Sequence, residues 1–353
     1  MKKVLTTILV IMSVVSVVSA YNPPLGSESL FDYSSPEGLS GRKSVTGGAI
    51  YSASADSLVV NPALGSREQR VNLNLGYTFL HSSNKENAYS VGNAFQLGIL
   101  IPTKMFVFSG YLNGTFVPFN ELSLGNSFSL HAGLAKEITD KLDIGLSINT
   151  GIAWNEKVTW ALGGNLGFNY HHGDLGFIKD FRYGASIMNL GKNFELPENK
   201  APTTSKTVTH FPNILTIKVG ASGTMFSNDF LNVGVALDLT KSMFQNLIVD
   251  FNTQLLFNDS IYVSFGEKIN VHESCYNMWS AIPSVAVGVN FKFDVKNSDY
   301  LERNGWAESE MTVSAGYKNL YNTVNAASVA VDVDLGMEDT TAPEIIIFEE
   351  EDL

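Results

Sequence analysis

The chain has 353 residues, of which 44% are hydrophobic and only 16% charged, far below the roughly 25% charge of an ordinary soluble domain. Its formal net charge is −12, with no basic patch of the kind nucleic acid requires, which excludes a nucleic-acid partner. Beyond the N-terminus no apolar run is long enough for a membrane helix, so the low charge points to strands that face lipid.

The N-terminus reads as an address. Lys2 and Lys3 precede an apolar run from Val4 to Val18, and Val18-Ser19-Ala20 makes a small-residue cleavage site. Residues 1–20 are therefore expected to be a secretory signal peptide, outside the fold. Without Lys2 and Lys3, 21 basic residues face 35 acidic ones, a formal charge of −14. Cys275 is alone, so no internal disulfide can form, and it lies too far from the cleavage site to be a lipid-modified N-terminal cysteine.

From Tyr21 to Ser66 the mature chain is rich in Gly, Ser and Pro and shows little alternation. The stretch Gly47–Asp56 suits one or two short helical turns, and Asn61-Pro62-Ala63-Leu64-Gly65 reads as a turn, because Pro fixes its own φ and pushes the preceding residue to extended geometry. So long a stretch that is neither strand nor charged linker needs somewhere to pack. The lumen of a wide barrel is one such place.

Period-two alternation starts at Arg70. Val71, Leu73, Leu75, Tyr77 and Phe79 share one side of an extended strand, with Asn72, Asn74, Gly76 and Thr78 on the other. Phe95, Leu97, Ile99 and Ile101 then oppose Ala94, Gln96, Gly98 and Leu100; after the turn at Pro102-Thr103-Lys104, Phe106, Phe108, Gly110, Leu112, Gly114 and Phe116 oppose Val107, Ser109, Tyr111, Asn113 and Thr115. Further strands are predicted around Phe128–Leu134, Leu142–Ile148, Trp160–Tyr170, Arg182–Asn189, Leu215–Ala221, Leu231–Leu239, Leu247–Leu256, Ile261–Phe265, Val285–Phe293, Met311–Tyr317 and Val329–Leu335. In each the apolar row is compatible with lipid, and the opposite row is small and polar.

The predicted fold class is all-β: an antiparallel transmembrane β-barrel of about fourteen strands, an even number as bacterial barrels have. The expected organisation is signal peptide 1–20, N-terminal hatch or plug 21–69, barrel 70–335 and acidic tail 336–353. Tight turns at 102–104 and 139–141 alternate with polar loops at 81–93 and 117–126, while the long stretch 294–309 falls where a short turn belongs. Either a strand pair is hidden there or that turn is elaborated. Seven acids crowd the last eighteen residues, and they read as an exposed tail. A soluble secreted β-sandwich is the structural rival, and the low charge counts against it.

Catalytic and metal chemistry find little footing. In His171-His172-x-Asp174 the adjacent histidines point to opposite sides of an extended chain, so a shared metal site is not expected, and a wet loop at the barrel rim is. His131 with Ser129 on the lumen face invites a hydrolase reading, but spacing places no acidic partner. No catalytic motif, metal site or cofactor is read here, and the protein is not expected to be an enzyme.

Asn61-Pro62-Ala63 is the sharper signal. It follows Gly47-Gly48-Ala49 and Ala53-Ser54-Ala55-Asp56 and directly precedes the first barrel strand. With Asn189-Leu190-Gly191 at a strand end, this arrangement resembles the FadL-like superfamily of long-chain fatty-acid outer-membrane transporters. The layout is closest to a spirochaete family of FadL relatives, and PorV-like proteins are related. The resemblance implies a barrel in the cell outer membrane, plugged by its N-terminal segment, that passes hydrophobic substrates such as long-chain fatty acids passively through a hatch-gated lumen. Only Asn61, Pro62 and Ala63 carry over as hatch-motif positions. No substrate-binding residue transfers, although Arg70 and Arg182 are available for a carboxylate. Expected partners are outer-membrane lipid, hydrophobic small molecules and the barrel-assembly machinery. The alternatives are a general diffusion porin, or a PorV-like surface or secretion-associated barrel acting through protein contacts.

Overall fold

The computed structural model describes residues 31–83, 89–119, 126–154, 158–194, 215–242, 246–271, 283–293, 308–320 and 324–336. The signal peptide, Cys275 and the acidic tail beyond Gly336 lie outside the described residues. The strands are β1 (Asn72–Ser82), β2 (Val91–Pro102), β3 (Val107–Phe116), β4 (Asn126–Thr139), β5 (Leu142–Trp154), β6 (Val158–Leu175) and β7 (Ile178–Lys192). They continue as β8 (Thr216–Ser227), β9 (Leu231–Ser242), β10 (Asn246–Phe257), β11 (Ile261–Asn270), β12 (Ser284–Phe293), β13 (Ser309–Leu320) and β14 (Val324–Asp334).

Every strand pairs antiparallel with its sequence neighbours, and β1 closes on β14 from Asn72↔Asp334 to Ser82↔Val324. Closure leaves no open edge and pairs the strands' backbone groups within the sheet, which is what a strand structure needs in hydrocarbon. The predicted architecture holds, strand for strand. β12 pairs directly with β13, from Val285↔Tyr317 to Phe293↔Ser309, so no hidden strand pair intervenes in the sheet.

The sidedness also follows the predicted alternation. Leu75, Leu97, Leu146, Ile148, Trp160 and Val329 are each at least half exposed on the outer surface, whereas Asn74, Gln96, Asn113, Asn149, Asn165 and Asn169 are buried facing the lumen. A water-soluble protein has the reverse distribution. The outer surface is thus an apolar band suited to acyl chains, and the chain is a transmembrane barrel.

Tight turns join β2–β3, β4–β5, β6–β7, β8–β9 and β10–β11 at one end, here the turn end, where the chain also enters at Asn72 and leaves at Asp334. The opposite loop end carries the connections 83–90 and 193–215. The expected contrast between the ends is incomplete, because the loop-end connections 155–157, 243–245 and 321–323 are also short.

Most strands run a few residues beyond their predicted bounds, and two of the differences fall on motifs singled out from the sequence. His171, His172 and Asp174 lie in the extension of β6, not in a loop. β7 runs past Asn189-Leu190-Gly191 to Lys192, with Asn189 at φ 62° beside a register shift between Gly164 and Leu166. The left-handed residue accommodates a bulge, so the pairing resumes beyond it.

Candidate functional site

Residues 32–69 run through the lumen and make the candidate site. They contain little regular structure: a four-residue helix at Pro36–Leu39 and single 3-10 turns at Ala55–Val59 and Leu64–Arg67. A segment this irregular cannot satisfy its own backbone, so the wall must do it. Asp238 of β9 accepts from the Val45 amide and the Ser44 hydroxyl, each at 2.8 Å. Gln254 of β10 accepts from the Ile50 amide at 3.0 Å, and Asn72 of β1 from the Ala55 amide at 3.2 Å. Asn252 of β10 donates to the Ser40 carbonyl at 3.1 Å.

Close approach is the second device. Gly145, Gly167 and Ser186 are register partners across β5, β6 and β7. Val60, Asn61 and Pro62 lie directly on this row: Ser186 donates to the Val60 carbonyl at 2.7 Å, and a Cβ on Gly145 or Gly167 would overlap Pro62 or Asn61. The Asn61 amide donates to the carbonyls of Val45 at 2.7 Å and Phe168 at 3.0 Å, while its oxygen accepts from the Ala63 N–H at 3.0 Å. One side chain thus joins two parts of the luminal segment to the wall and shapes its own turn.

Charge is the third. At the turn end Arg67 donates through Nε to both Asp143 oxygens at 3.1 Å, and its Nη2 donates to the Asp140 carbonyl at 2.8 Å. His171 Nε2 lies 2.8 Å from the same Asp143, while the His172 ring packs on Phe181. The two histidines do point apart. Near the middle, Lys43 and Asp56 form a buried ion pair. Burial alone would lower the Lys43 ammonium, but Asp56 alongside holds it above its usual value. Asp56 is the mirror case: burial pushes its carboxyl up, and Lys43 more than offsets that, leaving it below its usual value.

Gln96 of β2 gathers these elements. Its amide donates to Asp56 at 2.9 Å and to Asn74, and its oxygen accepts from Ser34 at 2.9 Å and Tyr111 at 3.1 Å. A cavity of about 30 Å³ adjoins the ion pair, lined by Glu37, Arg42, Lys43, Asp56, Asp332 and Leu64 among others.

The lumen is zoned. At the loop end, Leu80, Val117, Phe119, Ala153, Phe194 and Leu320 form an apolar cluster closed onto Tyr33 and Leu39 of the luminal segment. Toward the turn end the inward residues include polar groups bonded to the segment, Asn72 and Asp143 among them, beside Leu100 and Val107, which pack on Ala55. Sequence alternation missed the loop-end cluster because it assigned inward positions to the small polar row.

The other residues singled out from sequence are engaged with the protein itself. Arg182 is buried, pairs with Asp180 and donates to the Gly48 carbonyl at 3.2 Å, and Arg70 lies 3.6 Å from Glu310 and 3.9 Å from Asp334. His131 is buried edge-on against Tyr111, with Ser129 inward on the same strand. Among the described residues no group of three or more His, Cys, Asp or Glu is placed to hold a metal ion.

These features define the class: a closed fourteen-stranded membrane barrel whose lumen is occupied by its own N-terminal segment. No protein-family model and no curated protein sequence matches the chain. Among solved structures it is similar to the Pseudomonas putida toluene transporter TodX, at 11% identity and TM-score 0.49 over 89% of this chain and 99% of that one. It is also similar to the CymD monoaromatic hydrocarbon channel, at 11% identity and TM-score 0.48 over 88% and 99% of the two chains. A bacterial polysaccharide outer membrane secretin follows at 8% identity and TM-score 0.42, over 76% and 99%. None of these similarities assigns a role to a residue of this chain.

Proposed function

We propose that the protein resides in the outer membrane and conducts hydrophobic small molecules, long-chain fatty acids foremost, through a lumen gated by residues 32–69. The observation that carries this reading is the zoning of the lumen. An apolar cluster at the loop end lies directly on a luminal segment that is held by hydrogen bonds, ion pairs and glycine notches. An apolar solute gains by entering the cluster, and a plug held by exchangeable polar contacts can rearrange without unfolding the barrel. Asn61-Pro62-Ala63 acts in this reading as the seat of the hatch. An open diffusion porin fits less well, since the segment occupies the lumen.

The test is uptake of labelled oleate and of labelled toluene by a transport-deficient outer-membrane host expressing the mature chain. Uptake of oleate above the empty host supports the full reading, and uptake of toluene alone keeps the channel but changes the substrate. Uptake of neither, with the barrel folded in the membrane, overturns it and leaves the protein-contact alternative. Swelling of proteoliposomes in sugars would instead mark a porin.

A further inference from the structure

The geometry points to the Lys43–Asp56 pair as the latch that keeps the lumen closed, with Gln96 as its catch on the wall. This deepens the transport reading above and rests on it, since a latch has meaning only if the segment moves.

The luminal segment is held to the wall along its length. Residues 60–63 lie on the Gly145–Gly167–Ser186 row and the limb ends on the Arg67–Asp143 pair, so it is seated by shape as well as charge. Residues 32–56 likewise lie against wall glycines, Gly266 at Ser40 and Gly184 at Val45 among them, and are held to the wall by a series of side-chain hydrogen bonds. Lys43 and Asp56 bridge across this second stretch. Both sit almost fully out of solvent, at 8% and 1% side-chain exposure. Asp56 then reaches the wall through Gln96, whose oxygen receives Ser34 from the start of the segment. Two points of the segment, 22 residues apart, therefore meet on one wall side chain.

The adjoining cavity makes this junction the place to open. It gathers three carboxylates, Glu37, Asp56 and Asp332, against two cations, Arg42 and Lys43. Glu37 is already incompletely satisfied: one oxygen accepts from Tyr262 at 2.5 Å, and its Oε2 is buried with no hydrogen-bond partner. The surroundings cannot absorb a further unpaired charge, whereas the cavity can admit water once the pair parts. Losing one partner of a buried pair strands a charge, but replacing both by apolar groups of similar size does not.

The experiment is ion conductance of the full mature chain in planar lipid bilayers, which needs no substrate. Asp56→Asn and Lys43→Met are each expected to raise the open probability about tenfold or more over the native chain. The double replacement Lys43→Met with Asp56→Asn, which strands no charge and keeps a side-chain oxygen for the Gln96 amide, is expected to return it toward the native level. Heat-modifiable gel migration reports whether each barrel is folded. If a plug variant fails to assemble, Gln96→Leu reads the same junction from the wall and is expected to raise conductance. Folded single variants that stay as closed as the native chain overturn the latch. So does a double variant as open as the singles, or a folded Gln96→Leu that remains closed when the plug variants do not assemble. Conductance that follows the latch pattern in a chain that takes up neither oleate nor toluene removes the transport reading and keeps the latch.

Discussion

Asn61 and Gly167 compete for one position in space: the side-chain oxygen of Asn61 lies where a methyl group on Gly167 would go. Residue 167 belongs to the wall and residue 61 to the segment it encloses, so a glycine in the wall has its effect inside the lumen. Gly145, its register partner, stands in the same relation to Pro62.

Gly167→Ala is expected to displace the segment without harming the barrel. Overpacking of this kind costs about 1–3 kcal/mol, and the seated limb carries it because the closed ladder cannot yield. Hydrogen exchange should quicken at residues 58–63, with heat-modifiable migration kept. Gly164→Ala, where the nearest neighbour of the added carbon is the Leu190 carbonyl at 3.9 Å, should change neither. Equal behaviour of the two variants would remove the seat.

Asn61→Ala leaves the Val45 carbonyl without its donor and cuts the tie to the Phe168 carbonyl of the wall. Each buried group left unsatisfied costs about 1–3 kcal/mol. Asn61→Asp should be at least as damaging, because it sets a carboxylate against two carbonyl oxygens. Limited proteolysis between residues 45 and 63 is the readout, and native-like resistance in both variants would contradict the assignment.

The lipid face predicts a dependence on depth. Ile148, in the middle of β5 and 64% exposed, should cost about 2–4 kcal/mol as Arg, whereas Val158, at the loop end of β6, should cost about 1 kcal/mol or less. Urea unfolding from lipid vesicles measures both. Equal costs would argue that the outer row does not meet hydrocarbon.

Asp32 ties the start of the segment to Lys268 at 2.7 Å. Burial pushes its carboxyl up, but Lys268 and Lys218 outweigh that and hold it below the ordinary 3.8. A depressed carboxylate contributes stability that is present above its unfolded value and lost only as pH falls through the lower folded one. This tether should therefore persist unchanged from neutral pH to about pH 4. Carboxyl carbon NMR of Asp32 checks it directly, and Lys268→Met should shift the titration upward. A native midpoint at or above the ordinary value would disprove the tether.

Much of the barrel was legible in the sequence because lipid enforces a local rule. Each second residue in contact with acyl chains must be apolar, so Leu73, Leu75, Tyr77 and Phe79 declare both the strand and its outer side within a few residues. Where lipid no longer presses, the rule lapses: β6 extends to Leu175, and its polar end, His171 to Asp174, reads like a loop. The candidate site was visible only as an unusual turn at Asn61-Pro62-Ala63.

By itself, then, the sequence determined the strands, their approximate number and which face meets the membrane, since alternation is written in neighbouring residues. Only the tertiary structure decided what the lumen holds. The wall partners of Asn61, Asp56 and Arg67 lie 40 to 107 residues away, on strands brought beside them by closure of β1 on β14. A buried polar group is satisfied by whatever the chain's path places against it, and no local pattern records that path.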